Sequence, residues 1–167
     1  MSAPEASADE GVIESPFTKV EGFASDIKDY VGSVADEAAE RAAEEERAGR
    51  RQSVVDAADG QLGVPYVYGG TTPAGFDCSG FTRWVFAEAL GMELPRTAAE
   101  QSALGEAVSL DDLLPGDLLF WGSGSGVYHV GIYAGDGEYI HASTGGGRVM
   151  RATFDYFVPT FAKRLVA

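Results

Sequence analysis

The sequence predicts an α+β protein, with helices in the first part of the chain and an antiparallel sheet in the second. As far as about residue 104, apolar residues recur at the three- and four-residue steps of amphipathic helices. From Pro115 onward the period shifts toward two, and glycine-rich turns separate short apolar segments. We therefore predict helices packed on a central antiparallel sheet of about five strands, preceded by an extra N-terminal helical segment.

Composition divides the chain near Arg50-Arg51. Residues 1–50 hold half of the 26 acidic residues and neither histidine nor cysteine, whereas most of the 22 glycines lie in residues 51–167. A length of 167 residues suits one domain with an appended segment. We predict an acidic tail and helical linker over residues 1–50, disordered over residues 1–15, and a folded domain over residues 51–167.

The linker is predicted to be helical from about Phe17 to Arg50, with one apolar stripe. Such a helix is stable only if its stripe is buried. A spacer helix docked by its first half is the preferred interpretation, and a separate helix partner for residues 17–50 or a longer coiled coil are the alternatives. The stripe consists of Val20, Phe23, Ile27, Tyr30, Val31, Val34 and Ala38.

Charge and hydropathy exclude several functions. The net charge of −14 argues against a nucleic-acid partner, because binding to phosphates requires clustered Lys and Arg. No stretch approaches the roughly 18 apolar residues of a membrane span. No secretory signal is visible in Met1–Glu5, which lacks a basic and an apolar region.

Within residues 51–167, glycine and proline mark the limits of the predicted elements. Gly63-Val64-Pro65 ends the first helix, a glycine-rich loop follows over residues 66–75, and Gly91 closes the second helix. The helices are predicted over residues 51–62, 78–90 and 98–104, and the strands over residues 117–121, 127–134, 138–142, 148–152 and 160–166.

The single cysteine is a candidate nucleophile, since a lone thiol forms no intramolecular disulfide. Asp77 suits the N-cap of the second helix, which places Cys78 in the first turn, where free N–H groups and the helix dipole favour a thiolate. Together with a neighbouring imidazolium, this position predicts a lowered thiol pKa. Ser79 and Gly80 are small enough to let a substrate approach. The alternative is a buried, inert cysteine.

Both histidines are predicted to project from one face of a β-hairpin. Gly135-Asp136-Gly137 is a hairpin signal, and a three-residue loop there places Gly131 opposite His141, with His129 as its diagonal neighbour. His129 would then reach the sulfur while His141 fixes its tautomer. The alternatives are two satisfied polar groups or a Cys-His-His metal site, although no paired ligand motif supports a metal. We predict no metal and no cofactor.

These residues resemble the NlpC/P60 family of cell-wall cysteine peptidases, a papain-like group. The similarity covers about Val54 to Val166, and its motifs occur in the family's order and spacing with no departure at a catalytic position. The matching segments are Pro65-Tyr66-Val67-Tyr68-Gly69-Gly70, Asp77-Cys78-Ser79-Gly80-Phe81, Leu94-Pro95-Arg96-Thr97, Pro115-Gly116-Asp117-Leu118, His129-Val130-Gly131-Ile132-Tyr133 and Ile140-His141-Ala142.

The resemblance implies a papain-like peptidoglycan endopeptidase that hydrolyses stem-peptide amide bonds, typically between D-γ-glutamate and meso-diaminopimelate or lysine. By position, Cys78 would be the nucleophile, His129 the base and then the acid, and His141 the orienting third residue. It also implies action at the cell wall or outside the cell.

Three further positions gain roles from the same resemblance. Tyr66 would help to hold the oxyanion together with the Cys78 N–H, and Asp77 and Ser79 would line the pocket for the stem's N-terminal end. Alternatively, Tyr66 is only a packed aromatic residue of the loop, and Asp77 is only a helix cap.

Two other functions remain open from the sequence: a wall-binding module with an inactive site, and a papain-like amidase or acyltransferase acting on another substrate. Residues 17–50 are also a candidate regulatory segment, whose stripe would cover the substrate groove.

Overall fold

The computed structural model describes Ser2 and residues 16–167, so the tail predicted as disordered lies, apart from Ser2, outside the described residues. The chain divides into two compact units, Met1–Ala43 and Glu44–Ala167. None of the helices in the described part is long and apolar enough to cross a membrane.

Helix α1 runs without a break over Pro16–Asp59, whereas the sequence predicted two helices separated near Gly49. A glycine inside a helix costs only about 1 kcal/mol relative to alanine, so it does not by itself end one. Here the Glu44 carboxylate accepts hydrogen bonds from both Arg47 and Arg51, and it therefore links the turns on either side of Gly49.

The stripe in the first unit is exposed. The burial that the sequence predicts for it is not observed among the described residues of this unit. Its large side chains are exposed by 43 to 70%: Val20, Phe23, Ile27, Tyr30, Val31 and Val34.

Two further helices have capped ends. Helix α2, Cys78–Leu90, begins after the N-cap Asp77 and ends at Gly91, whose φ of 63° is left-handed. Helix α3, Ala98–Gln101, begins with a capping box between Thr97 and Glu100 and is shorter than predicted.

The sheet has six antiparallel strands, one more than predicted, because the short edge strand β3 carries no clear alternation. Strands β1 and β2, Thr71–Thr72 and Gly75–Phe76, pair separately within the glycine-rich loop. The order of the large sheet is β3-β8-β4-β5-β6-β7. Its strands are β3 (Glu106–Val108), β4 (Leu118–Trp121), β5 (His129–Gly135), β6 (Glu138–Ser143), β7 (Arg148–Thr153) and β8 (Phe161–Arg164).

Apolar side chains cover both faces of this sheet. Alternate residues of β4 belong to different clusters, with Leu118 and Phe120 in one and Leu119 and Trp121 in the other. The larger cluster includes residues of α2 and of the end of α1. These are Val54, Val55, Ala58, Phe81, Val85 and Phe86.

A buried ion pair joins β8 to the start of β4. The Asp117 carboxylate, 1% exposed, accepts hydrogen bonds from Arg164 Nε at 2.9 Å and Nη2 at 2.7 Å, and from the N–H of Leu114 at 2.8 Å. We expect Asp117→Ala to lower the free energy of unfolding by about 3 kcal/mol, because it leaves a guanidinium without its partner. Urea unfolding of both proteins measures this loss, and a change below 1 kcal/mol contradicts it.

Candidate active site

Cys78 is the first residue of α2, where the sequence places it. Asp77 caps this turn, because its Oδ1 accepts the N–H of Gly80 at 2.7 Å. The carbonyl oxygen of Gly70 would lie 2.0 Å from a Cβ at residue 80, so only glycine allows the loop to pack here. The loop and the cap together hold the start of α2, and with it the thiol.

Burial opposes ionisation of the Cys78 thiol. Burial raises the pKa of Cys78, although N–H groups of Val130 and Ser79 bond to the sulfur and partly oppose this. The predicted low thiol pKa is therefore wrong for the resting state, because desolvation outweighs the helix N-terminus and no imidazolium is present beside the sulfur.

The two histidines contact each other. His129 Nε2 and His141 Nδ1 are 2.7 Å apart, and the rings are nearly perpendicular. The pairing of Ile132 with Ile140 places Gly131 beside His141, and a Cβ on Gly131 would lie 3.3 Å from that of His141. Glycine therefore leaves space beside this side chain.

The hairpin loop differs from the prediction, because Gly135 pairs with Glu138 and only Asp136-Gly137 remain as the turn. A register irregularity between Tyr133 and Gly135 absorbs the extra residue. The pairs Tyr133–Tyr139 and Ile132–Ile140 are consequently those that a three-residue loop predicts.

Both imidazoles are neutral near pH 7. Burial, followed by the charge of His141, lowers the pKa of His129 to about 3, and burial lowers the pKa of His141 to about 4. In the tautomer in which His129 Nε2 donates to His141 Nδ1, the Nδ1 of His129 keeps its lone pair. His129 is then a base that is ready to take a proton.

Aromatic rings pack around this pair. Trp121 lies 5.0 Å from His129 between ring centroids, and Tyr139 lies 4.9 Å from His141. Phe157 stacks on Trp121 at 4.6 Å and contacts His129 at 5.8 Å. These contacts desolvate the imidazoles, which is the largest cause of their low pKa values.

The thiol and both imidazoles line one cavity of about 390 Å³. Tyr66 is part of the wall, and burial followed by the charge of Cys78 raises the pKa of its phenol, so its hydroxyl is a donor at neutral pH. The other lining residues are Tyr128, Ser143, Thr144, Gly145 and Phe157.

The remaining two predicted site residues form a cluster with Arg96. The guanidinium donates to both Asp77 oxygens, at 3.1 and 2.7 Å, and to Ser79 Oγ at 3.0 Å. The fully buried Gln101 donates to the carbonyls of Ser79 and Pro95 and so holds this loop against α2. Sequence reasoning did not assign Arg96 to the site, although its motif belongs to the family resemblance.

Metal ligation has little support in this arrangement. Across residues 16–167, no group of three or more His, Cys, Asp or Glu side chains is placed to hold a metal ion. The two nearest candidates, His129 and His141, bond to each other.

Fold and site define a class of proteins with a thiol at a helix start and an imidazole pair on an antiparallel sheet. The sequence matches the NlpC/P60 family over residues 63–165, and the chain belongs to this family. It is 44% identical over 113 residues to the gamma-DL-glutamyl hydrolase of Bacillus subtilis, covering 66% of this chain and 26% of that protein. It is 47% identical over 88 residues to the Escherichia coli murein DD-endopeptidase MepS/murein LD-carboxypeptidase, covering 53% of this chain and 47% of that protein.

Solved structures agree with this assignment. The NlpC/p60 domain of the peptidoglycan hydrolase SagA superposes with a TM-score of 0.67 at 42% identity, covering 69% of this chain and 98% of that one. The peptidoglycan hydrolase RipB from Mycobacterium tuberculosis superposes with a TM-score of 0.67 at 32% identity, covering 74% of this chain and 68% of that one. The chain spans less than half the length of the curated relatives it matches, from 20 to 47%.

The buried neutral histidines make stability depend on pH. In the unfolded chain both titrate near 6.5, whereas the folded pKa values of His129 and His141 are about 3 and about 4. As pH falls below 6.5, the unfolded chain binds more protons, and we expect the free energy of unfolding to fall by up to about 1.4 kcal/mol per pH unit for each histidine.

This loss should stop once pH falls below the folded pKa values. Denaturant unfolding between pH 7 and 4 measures it, with the double variant His129→Gln/His141→Gln as the control, since carboxylates titrate equally in both. An identical pH slope for the two proteins contradicts the prediction.

Proposed function

We propose that the protein is a peptidoglycan endopeptidase that hydrolyses stem-peptide amide bonds through Cys78. The observation that carries this proposal is the shared cavity, in which a thiol and the hydrogen-bonded pair of His129 and His141 meet. Hydrolases of peptidoglycan and endopeptidases among the relatives support the substrate class.

The proposed reaction begins from the neutral pair. The Nδ1 of His129 takes the thiol proton as Sγ of Cys78 adds to the scissile carbonyl carbon, and the charge on the imidazolium is stabilised by His141. Proton transfer therefore accompanies the attack, because no thiolate is present beforehand. The N–H of Cys78 and the hydroxyl of Tyr66 are the proposed donors to the oxyanion.

The later steps return every group to its starting state. The His129 imidazolium protonates the amide nitrogen, the C–N bond breaks, and the amine leaves a thioester on Cys78. Water then attacks the thioester as His129 removes its proton, and the C–S bond breaks to regenerate the thiol.

The acyl half of the substrate is proposed to bind beside the start of α2. Asp77 Oδ1 already accepts bonds from the Gly80 N–H, the Ser79 hydroxyl and Arg96, whereas among residues 16–167 Oδ2 accepts one, from Arg96. A free L-alanine amine can therefore donate to Oδ2, with Ser79 alongside. The substrate bond we propose is that between D-γ-glutamate and meso-diaminopimelate or lysine.

We further propose that residues 51–167 form the catalytic domain and act at the cell wall or outside the cell. Residues 1–50 are proposed as a linker or regulatory segment, with residues 17–50 able to meet a helix partner. Removal of residues 1–50 tests the regulatory role, which requires higher activity of the shortened chain.

The direct test is digestion of purified peptidoglycan and of stem peptides released from it with a free L-alanine amine, with the products identified by mass spectrometry. Fragments that begin at diaminopimelate or lysine and complementary fragments that end in γ-D-glutamate are expected. Intact stem peptides after prolonged digestion contradict the proposal.

A second candidate is a wall-binding module without turnover. The raised pKa of Cys78 predicts slow alkylation near neutral pH. Slow alkylation is expected of the buried thiol in either case, so turnover, and not labelling, separates the two functions.

A further inference from the structure

The cavity has an aromatic wall on one side of His129. Trp121 of β4 pairs with His129 of β5, and His141 lies on β6, so the three side chains follow one another across the sheet. Phe157 stacks on Trp121 and therefore lies toward β4, opposite His141. Tyr128 precedes His129, and its N–H bonds to the Trp121 carbonyl at 3.0 Å. We define Tyr128 and Phe157 as the aromatic wall.

This wall is available to a ligand. Both residues line the cavity, and Tyr128 is 64% exposed, although it adjoins a buried histidine. An exposed large aromatic side chain on a cavity rim provides contact area at a low entropy cost.

The chemistry assigns the wall to the leaving half of the substrate. In the proposed function, on which this inference rests, His129 protonates the departing nitrogen, so the substituents of that nitrogen lie beside the His129 ring. Phe157 contacts this ring, and Tyr128 is its chain neighbour. The acyl half of the substrate is proposed to bind elsewhere, at the cluster of Asp77 and Arg96.

We propose that Tyr128 determines specificity for the amine product and favours a diamino acid with a long aliphatic side chain over glycine. None of the cavity-lining residues is acidic or basic apart from the histidines, which are neutral at pH 7. The aromatic side chains of Tyr128 and Phe157 favour methylene groups, and the Tyr128 ring can also attract a terminal ammonium. Together these contacts favour the long side chain by about tenfold.

The test uses two substrates with the same L-alanyl-γ-D-glutamyl half, one joined to L-lysine amide and the other to glycine amide. We expect wild type to prefer lysine by about tenfold in kcat/KM, and Tyr128→Ala to reduce this ratio to about two or less. Tyr128→Phe should keep the preference, because the ring is retained. Tyr156→Ala is the matched control, since Tyr156 is 99% exposed and lies next to Phe157 without lining the cavity.

The outcomes separate this inference from the proposed function. Cleavage of neither substrate by wild type overturns both. Cleavage of both with an unchanged lysine-to-glycine ratio in Tyr128→Ala, or with an equal loss on both substrates, overturns the role of Tyr128 alone. Thermal unfolding of each variant confirms that the proteins compared are folded.

Discussion

Cys78→Ala should abolish the release of stem-peptide fragments, lowering kcat/KM by about 10⁴-fold or more. The thiol is the proposed site of covalent bond formation, and alanine removes the atom that attacks while leaving the helix start and its Asp77 cap in place. The measurement is turnover of L-alanyl-γ-D-glutamyl-L-lysine amide, followed by chromatography of the released lysine amide.

Cys78→Ser is the matched variant for this experiment. It keeps an atom able to form a hydrogen bond and nearly the same volume, but its hydroxyl is a much weaker nucleophile, so activity should remain close to that of the alanine variant. Undiminished turnover in either variant would remove Cys78 from the mechanism. An unchanged melting temperature shows that the loss is chemical.

The local parts of the site followed from short-range rules. A helix after Asp77 was predictable because a capping residue preceded an apolar period of 3.6, and the structure begins α2 at Cys78. The shared face of His129 and His141 followed from the hairpin signal, and their contact at 2.7 Å agrees with it. The family resemblance is confirmed by the match over residues 63–165.

What the sequence did not predict depends on long-range packing. The thiol pKa is set by burial against residues distant in sequence, and that burial outweighs the local helix start that the prediction relied on. Arg96 reaches Asp77 through side-chain bonds between residues 19 positions apart, and the fully buried Gln101 holds its loop against α2. In α1, which continues through Gly49, Glu44 similarly makes ion pairs with Arg47 and Arg51 that the apolar pattern does not predict.

The proposed mechanism gives each of the two histidines a separate role. A lone buried His129 would have either nitrogen protonated, and only one tautomer leaves Nδ1 able to accept the thiol proton. The contact between His129 Nε2 and His141 Nδ1 can be made in that tautomer, with Nε2 as the donor, and we propose that the pair works in this form. His141 is therefore a positioning residue in the proposed mechanism, and His129 the acid–base catalyst.

His129→Ala should lower kcat by about 10³-fold, which is within the usual range for loss of a general acid–base group. His141→Ala should lower it less, and His141→Gln should recover part of the loss, because a glutamine oxygen can accept the same hydrogen bond. A purely structural role for His141 would instead give equal losses for alanine and glutamine variants of equal stability.

The pH profile gives the second readout for this pair. Burial lowers the pKa of His129 to about 3. We therefore expect kcat/KM of wild type to stay constant as pH falls through 6.5, and to decrease only as pH approaches about 3. His141→Ala removes a ring that desolvates His129, and it also removes the charge of His141, which is the second cause of the low His129 pKa. The pH at which kcat/KM decreases should therefore rise toward 6.5. A wild-type limb already at 6.5 would show that the base in the free enzyme is a solvated imidazole, and the proposed start from a buried neutral pair would then be wrong.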